Sequence, residues 1–513
     1  MSSRDVLCDG QPLTVAEVVA VARRDVPVRV GPSARSAMAA SRKLVEELAA
    51  SPRPAYGVST GFGALATRHI PRELRATLQR SLVRSHASGM GDRVEREVVR
   101  AMMLLRLRTL TTGRTGVRPV VADTLAALLN AGITPVVHEH GSLGCSGDLA
   151  PLAHVALVLM GEGEAAGPDG VVRPVPELLA AHGIEPVTLA EKEGLALING
   201  TDGMLGMLCL AITDLSRLLC TVDVTAAMSV EALLGTDRVF APELHTIRPH
   251  PGQAASAANM LRVLAGSPIV ASHRNGDSRV QDAYSLRCAP QVTGAARDTL
   301  EFARTVAQRE LASAIDNPVV CDDGRVESNG NFHGAPLAYV LDYLAIVVAD
   351  VGSMAERRTD RMCDVARSQG LPPFLAADPG VDSGMMLAHY TQAAMVAENR
   401  RLATPASVDS IPTSAMQEDH VSMGWGAARK LRRALDNLAG ILAVELTVAG
   451  RALELRAPLR PGPATAAALS ALRTAVPGPG PDRFVAPELA AAADLVRSGT
   501  VLGAVDAVTG PLH

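Results

Sequence analysis

From residue 202 onward, apolar side chains return every three or four positions over stretches far longer than a strand can use. They run through 202–234, 253–265, 290–314, 334–366, 384–402 and 424–456. A strand is typically five or six residues long and alternates its faces, so these stretches must be helices. The side chains that would fill a core agree: hydrophobic residues make up 48% of the chain and aromatics only 2%. Ala, Leu and Val therefore supply the interior, and Ala and Leu favour helix while the β-prone aromatics are scarce. The expectation is a mainly α protein built on an antiparallel bundle of long helices.

The first 200 residues read as shorter helices broken by glycine-bearing loops. Thr14 with Glu17 opens one helical segment and Ser33 precedes another, before SPRPAYGVSTGFG interrupts the pattern at Ser51. Periodicity resumes over 77–108 and 119–131 around the turn TTGRTGVRP, and a glycine loop follows at 141–147. Residues 162–190 predict a surface excursion with a short hairpin in AGPDGVVRPVPE. Near the end, Pro/Gly stops flank one further helix. The expected division is an N-terminal domain over 1–200, a central long-helix bundle over 201–456 and a C-terminal helical cap over 457–513.

A net charge of −4 and the lack of any isolated Lys/Arg block argue against a nucleic acid or an anionic membrane as partner. Seven cysteines, odd in number and never spaced C-x-x-C, together with a start lacking an apolar signal core, point to free thiols in a reducing cytoplasm. Apolar runs such as 337–351 are interrupted by Asp342 and Asp350, short of the ~20 residues a membrane span needs. The sequon Asn199-Gly200-Thr201 is accordingly not expected to be glycosylated.

The chemistry concentrates in GSLGCSGDLAPLAH at 141–154. It has no Lys where a phosphate loop needs one, and its spacing is not that of a nucleophile elbow. What it does offer is Cys145-Ser146-Gly147: a carbonyl that can be attacked, a Ser that can lose water, and a Gly whose nitrogen can attack because no Cβ blocks a strained turn. The product would be a methylidene-imidazolone, an electrophile made from the chain with no external cofactor. An ordinary turn before a buried helix is the plainer alternative.

The segment resembles the signature of the histidine/phenylalanine/tyrosine ammonia-lyase family, whose first residue is usually Ala where this chain has Cys145. Six further segments resemble the family in its order. Tyr56-Gly57-Val58-Ser59-Thr60-Gly61-Phe62-Gly63 matches its tyrosine loop, implying that Tyr56 is the catalytic base. A phenol titrates ordinarily at about 10, so this role requires nearby donors or positive charge. Ser85-His86 resembles the histidine-specific branch and implies a polar partner for an imidazole. Asn199, in a segment like L-x-N-G-T, is implied to lie beside the ring and the substrate's amino-acid end; Asp202 departs from the Gln often found there. In Gln281-Asp282-Ala283-Tyr284-Ser285-Leu286-Arg287, the resemblance assigns Arg287 to the substrate carboxylate, which suits its planar fork, and gives Tyr284 and Gln281 supporting roles. Phe332, in GNFHG, would pack on the cyclised tripeptide. Glu418, in Gln417-Glu418-Asp419-His420, would hold the imidazole, a group the phenylalanine branch has no need to meet. Neither this cluster nor His138-Glu139-His140 has the spacing of a metal site, and none is expected.

The resemblance covers about residues 10–510. It implies a helical ammonia-lyase/fumarase-like architecture, a homotetramer with shared active sites, and elimination of ammonia from L-histidine to give trans-urocanate. Whether the amine or the imidazole meets the electrophile is left open by these residues. The alternatives are a tyrosine or phenylalanine ammonia-lyase, an aminomutase, or a non-catalytic helical scaffold whose Cys-Ser-Gly never cyclises.

Overall fold

The computed structural model describes residues 5–52, 54–277 and 279–513. The expected long helices form at Asp202–Ala232, Pro251–Val263, Ala289–Ala312, Ala335–Cys363, Met386–Leu402 and Gly424–Glu454. The stretch 77–108 divides into Arg75–His86 and Arg96–Leu110, because Ala87, Ser88 and Gly89 end the first helix and a strand, Met90–Arg93, follows. Strands are short. Val6–Cys8 pairs in parallel with Val28–Val30, and Met90–Arg93 pairs antiparallel with His138–His140. The hairpin in 162–190 is Glu164–Ala166 against Val172–Pro174, with Thr134–Pro135 on its other edge.

The chain forms two compact units, each assembled from separate segments. The first comprises Met1–Thr213, Arg304–Asp342 and Pro405–Arg429; the second comprises Asp214–Ala303, Tyr343–Thr404 and Lys430–His513. In the first, the helix Arg96–Leu110 is buried along nearly its whole length, and three of its four arginines are inside: Arg100, Arg106 and Arg108. Such cations are tolerable only with full hydrogen bonding. Arg100 spends its fork on the Val21 and Leu129 carbonyls. In the second unit, Glu445 is the polar centre. It accepts from Thr225, Ser229 and Arg358, all buried, tying three helices at one carboxylate.

One expectation needs correcting. Asp202–Ala232 and Ala335–Cys363 are long and apolar enough to cross a membrane by length and composition, each holding an 18-residue window of mean hydropathy 1.6. Most of each window, 78% and 61%, is buried within the protein, so a protein core already accounts for the apolar character. Asp342, which was expected to break the run, is itself buried and accepts the Ser407 amide at 2.7 Å.

Candidate active site

A cavity of about 930 Å³ opens in the first unit, a size suited to a small-molecule site. Segments distant in sequence build its wall: the tyrosine loop, the end of Arg75–His86, the turn at Cys145 and Ser146, Asn199, Phe332, and the strap 414–420.

The turn is held from both sides. Ser142 Oγ accepts the Gly144 amide at 3.1 Å and donates to Asp148 Oδ1 at 2.8 Å, while Ser422 Oγ donates to the Gly144 carbonyl at 2.7 Å. Asp148 reaches onward: its Oδ2 accepts from the Gly203 and Met204 amides at 2.9 and 3.0 Å, capping the first turn of Asp202–Ala232, where orphan donors and the helix dipole favour an acceptor. Burial outweighs these hydrogen bonds and lifts the Asp148 carboxyl to about 7. Gly147 sits at φ +77° against Gly200, with which it forms a β-bridge, and a Cβ there would overlap the Gly200 carbonyl. The position admits glycine alone, as a backbone cyclisation of this tripeptide requires.

Glu418 ties the strap to that turn. Its Oε1 accepts from Ser146 Oγ at 3.0 Å, and its Oε2 accepts from Cys145 Sγ at 3.2 Å and Thr413 Oγ1 at 3.0 Å. Burial, reinforced by the Glu418 charge, pushes the Cys145 thiol up to about 12. His86 Nδ1 lies 2.9 Å from the Leu82 carbonyl, a contact that requires a proton on Nδ1 and leaves Nε2 as the acceptor. Burial holds His86 below its ordinary value, against the Leu82 contact and the Glu418 charge, so the ring is neutral at pH 7. Tyr56 Oη accepts the Gly63 amide at 3.2 Å, a donor of the sort a phenol base needs. Asn199 Nδ2 donates to the Asn317 carbonyl at 3.1 Å; its buried Oδ1 has no hydrogen-bond partner among the described residues.

Eight of the residues singled out in the sequence thus line one cavity: Tyr56, Ser85, His86, Cys145, Ser146, Asn199, Phe332 and Glu418. Gly147 is buried directly behind it. Gln281, Tyr284 and Arg287 are not in this wall; they belong to the second unit. There Tyr284 is 71% exposed, with the Arg287 guanidinium 4.7 Å from its ring centroid, a cation–π pair. The cavity also holds residues not picked out beforehand. His333 and His420 stack with centroids 5.5 Å apart, and Asn317 accepts through Oδ1 from Ser328 and Asn329. The Asn-Pro dipeptide at 317–318 signals a turn but nothing of a site. Among the described residues, no three His, Cys, Asp or Glu side chains are placed to hold a metal ion.

Residues 13–474 match the aromatic amino acid lyase family. The chain belongs to that family. It is 68% identical to the histidine ammonia-lyase of Streptomyces avermitilis, over 98% of each chain, and 69% identical to that of Streptomyces griseus, over 97% of this chain and 98% of the other. Among solved structures, a tyrosine aminomutase from Streptomyces globisporus superposes with a TM-score of 0.93 at 39% identity, over 99% of this chain and 100% of that one. The histidine ammonia-lyase from Trypanosoma cruzi gives 0.90 at 36%, over 98% and 96%. The mainly helical architecture of these lyases and aminomutases is therefore the architecture here.

Proposed function

We propose that this protein is a carbon–nitrogen lyase that eliminates ammonia from L-histidine to give trans-urocanate, using a methylidene-imidazolone formed autocatalytically from Cys145-Ser146-Gly147. The observation that carries the reading is one cavity lined by Cys145 and Ser146 together with His86 and Glu418. Full-length relatives near 68% identity bear the histidine ammonia-lyase name. The fit of the tripeptide rests on Gly147, whose positive φ and contact with Gly200 keep the turn tight.

When formed, the ring supplies an electron-poor carbon that draws density from the substrate and eases the departure of ammonia. Everything else falls to side chains. Glu418, freed of the Ser146 hydroxyl once that oxygen has left as water, accepts the imidazole N–H, and neutral His86 offers Nε2 as a further polar partner. Tyr56 takes the β-proton, its phenolate steadied by the Gly63 amide. Asn199 Oδ1, buried with an acceptor to spare, meets the amino-acid end. Together these groups hold the substrate in a near-attack geometry.

Gln281, Tyr284 and Arg287 complete the site in the proposed homotetramer, each contributed to a cavity of another copy. Support comes from the exposure of Tyr284 and from an exposed apolar stripe of Tyr339, Tyr343 and Ile346 at helical spacing on Ala335–Cys363. A cytoplasmic setting suits seven free cysteines, five of them buried.

The test is product formation from L-histidine, L-tyrosine and L-phenylalanine offered separately and followed by the ultraviolet absorbance of each conjugated acrylate. Urocanate alone is expected. Coumarate or cinnamate would overturn the substrate, and silence with all three, on a protein whose Ser146 peptide has not lost two waters, would leave a helical scaffold.

A further inference from the structure

We propose that Arg106, oriented by Asp202, is a positioning residue for ring closure at Cys145-Ser146-Gly147; the inference rests on the self-made electrophile of the proposed function. Closure forms a bond from the Gly147 nitrogen to the Cys145 carbonyl carbon and expels that carbonyl oxygen as water with the hydrogens of the Gly147 and Ser146 amides, leaving a double bond from that carbon to the Ser146 nitrogen. Ser146 then loses its Cα proton and its hydroxyl as a second water. No oxidant or reductant is consumed, so what the fold must supply is compression of the turn.

The structure shows what the turn is compressed against. Gly147 rests on Gly200, and Gly200 in turn rests on a guanidinium: a Cβ on Gly200 would overlap Arg106 Nη2. The Asp148 amide donates to the Gly200 carbonyl at 2.7 Å, fastening the two strands of this contact together. Gly200 is therefore a spacer one backbone thick between the reacting turn and Arg106.

Arg106 cannot retreat. Its Nη1 donates to the carbonyls of Ala196, Asn199 and Ile315 at 2.9, 3.2 and 3.4 Å. Its Nε donates to Asp202 Oδ2 at 3.0 Å, and Nη2 donates to the same oxygen. Every nitrogen of the fork is committed, and the side chain has no exposure. A second fully buried pair, Lys192 with Asp316, brings one charge of each sign to the same polar interior and shares the field of Arg106. Because Asn199 and Gly200 are consecutive, the fork that holds the Asn199 carbonyl also fixes the strand on which Gly147 bears. A planar fork makes all these contacts at once, where a Lys point charge makes only some of them.

A pair that served stability alone could be replaced by apolar residues of similar volume at little cost, or with a gain. The experiment uses that contrast. Full-length wild type, Arg106→Met/Asp202→Leu and Arg106→Lys are purified, thermal melts are recorded, and the mass of the Ser146 peptide is followed over time. The wild type is expected to be short by two waters. Both variants are expected to melt cooperatively yet to cyclise about tenfold or more slowly, as the loss of a charge-assisted hydrogen bond at a barrier implies, with Arg106→Lys recovering part of the rate. A folded variant that loses two waters as fast as the wild type overturns the proposal. Should the double variant fail to fold, Arg106→Lys, which keeps the charge and most of the length, decides by the same criterion. A wild type of unchanged mass would sink the electrophile itself rather than the role of Arg106.

Discussion

The cavity wall and the Gln281–Arg287 segment carry the same kind of chemistry in opposite states. In the wall, Glu418 already accepts three hydrogen bonds, His86 has a fixed tautomer, and Asn199 is anchored through Nδ2. In the segment, Tyr284 lies open to solvent, Arg287 leans on its ring, and the buried Arg287 Nε has no hydrogen-bond partner. The polar groups of the wall are thus already fixed by hydrogen bonds within one chain, while those of the segment are left open; on the proposed function, the first would be the electrophile and the ring-recognising groups and the second a carboxylate clamp completed by another copy.

The largest effect expected is for Ser146→Ala, which should fold, keep its full mass and lose nearly all turnover; substantial residual activity would dissolve the distinction by removing the electrophile from the wall. Glu418→Gln keeps the shape but not the charge, and histidine turnover should fall on the order of 10²- to 10³-fold, whereas an unchanged rate would take Glu418 out of imidazole binding. Arg287→Ala should act mainly on KM, by about 10- to 100-fold for a lost charge-assisted contact. It also offers the sharpest test of the comparison: co-expression of the Ser146→Ala and Arg287→Ala chains should restore part of the activity if the clamp serves another copy. No recovery would place Arg287 and the electrophile in the same chain's site. Cys145→Ala should retain activity, since ring closure uses only the backbone of that residue, and a dead variant would show that the thiol matters.

The smallest effect concerns Asp148. Its carboxyl, lifted to about 7, binds a proton more tightly in the folded than in the unfolded chain. Stability should therefore fall as pH rises from about 4 to about 7. Asp148→Asn should flatten that slope in melts recorded across the window; an identical slope would mean that the buried cap does not titrate there.

Much of the architecture was legible because helical periodicity is local. The six long segments after residue 202 lie within three residues of the helices observed at each end, and the hairpin in 162–190 followed from its turn residues. The Thr14/Glu17 start is a full capping box. Motif order brought eight residues to one cavity, because each motif is short and keeps its own local geometry. Arg106 was not legible: it is one arginine in the helix Arg96–Leu110, and its meaning lies in carbonyls 90 to 209 residues away. His333 and His420 escaped for the same reason, since a stack of two rings 87 residues apart leaves no spacing to read. The apolar length of Ala335–Cys363 was underrated because Asp342 was counted as a break, whereas it is buried and accepts the Ser407 amide.

On the proposed chemistry, the electron-poor alkene made from Ser146 would have a nucleophile beside it in sequence, the sulfur of Cys145. Thiolates attack such carbons; thiols hardly do. Burial and the carboxylate of Glu418 keep that sulfur protonated, and Cys8, Cys209 and Cys363 are likewise pushed up to about 12 by burial. The placement of Glu418 would thus give the chain a form of chemical self-restraint: under the proposed function, the acceptor for an imidazole would also keep the adjacent sulfur protonated and so from capping the warhead before any substrate arrives.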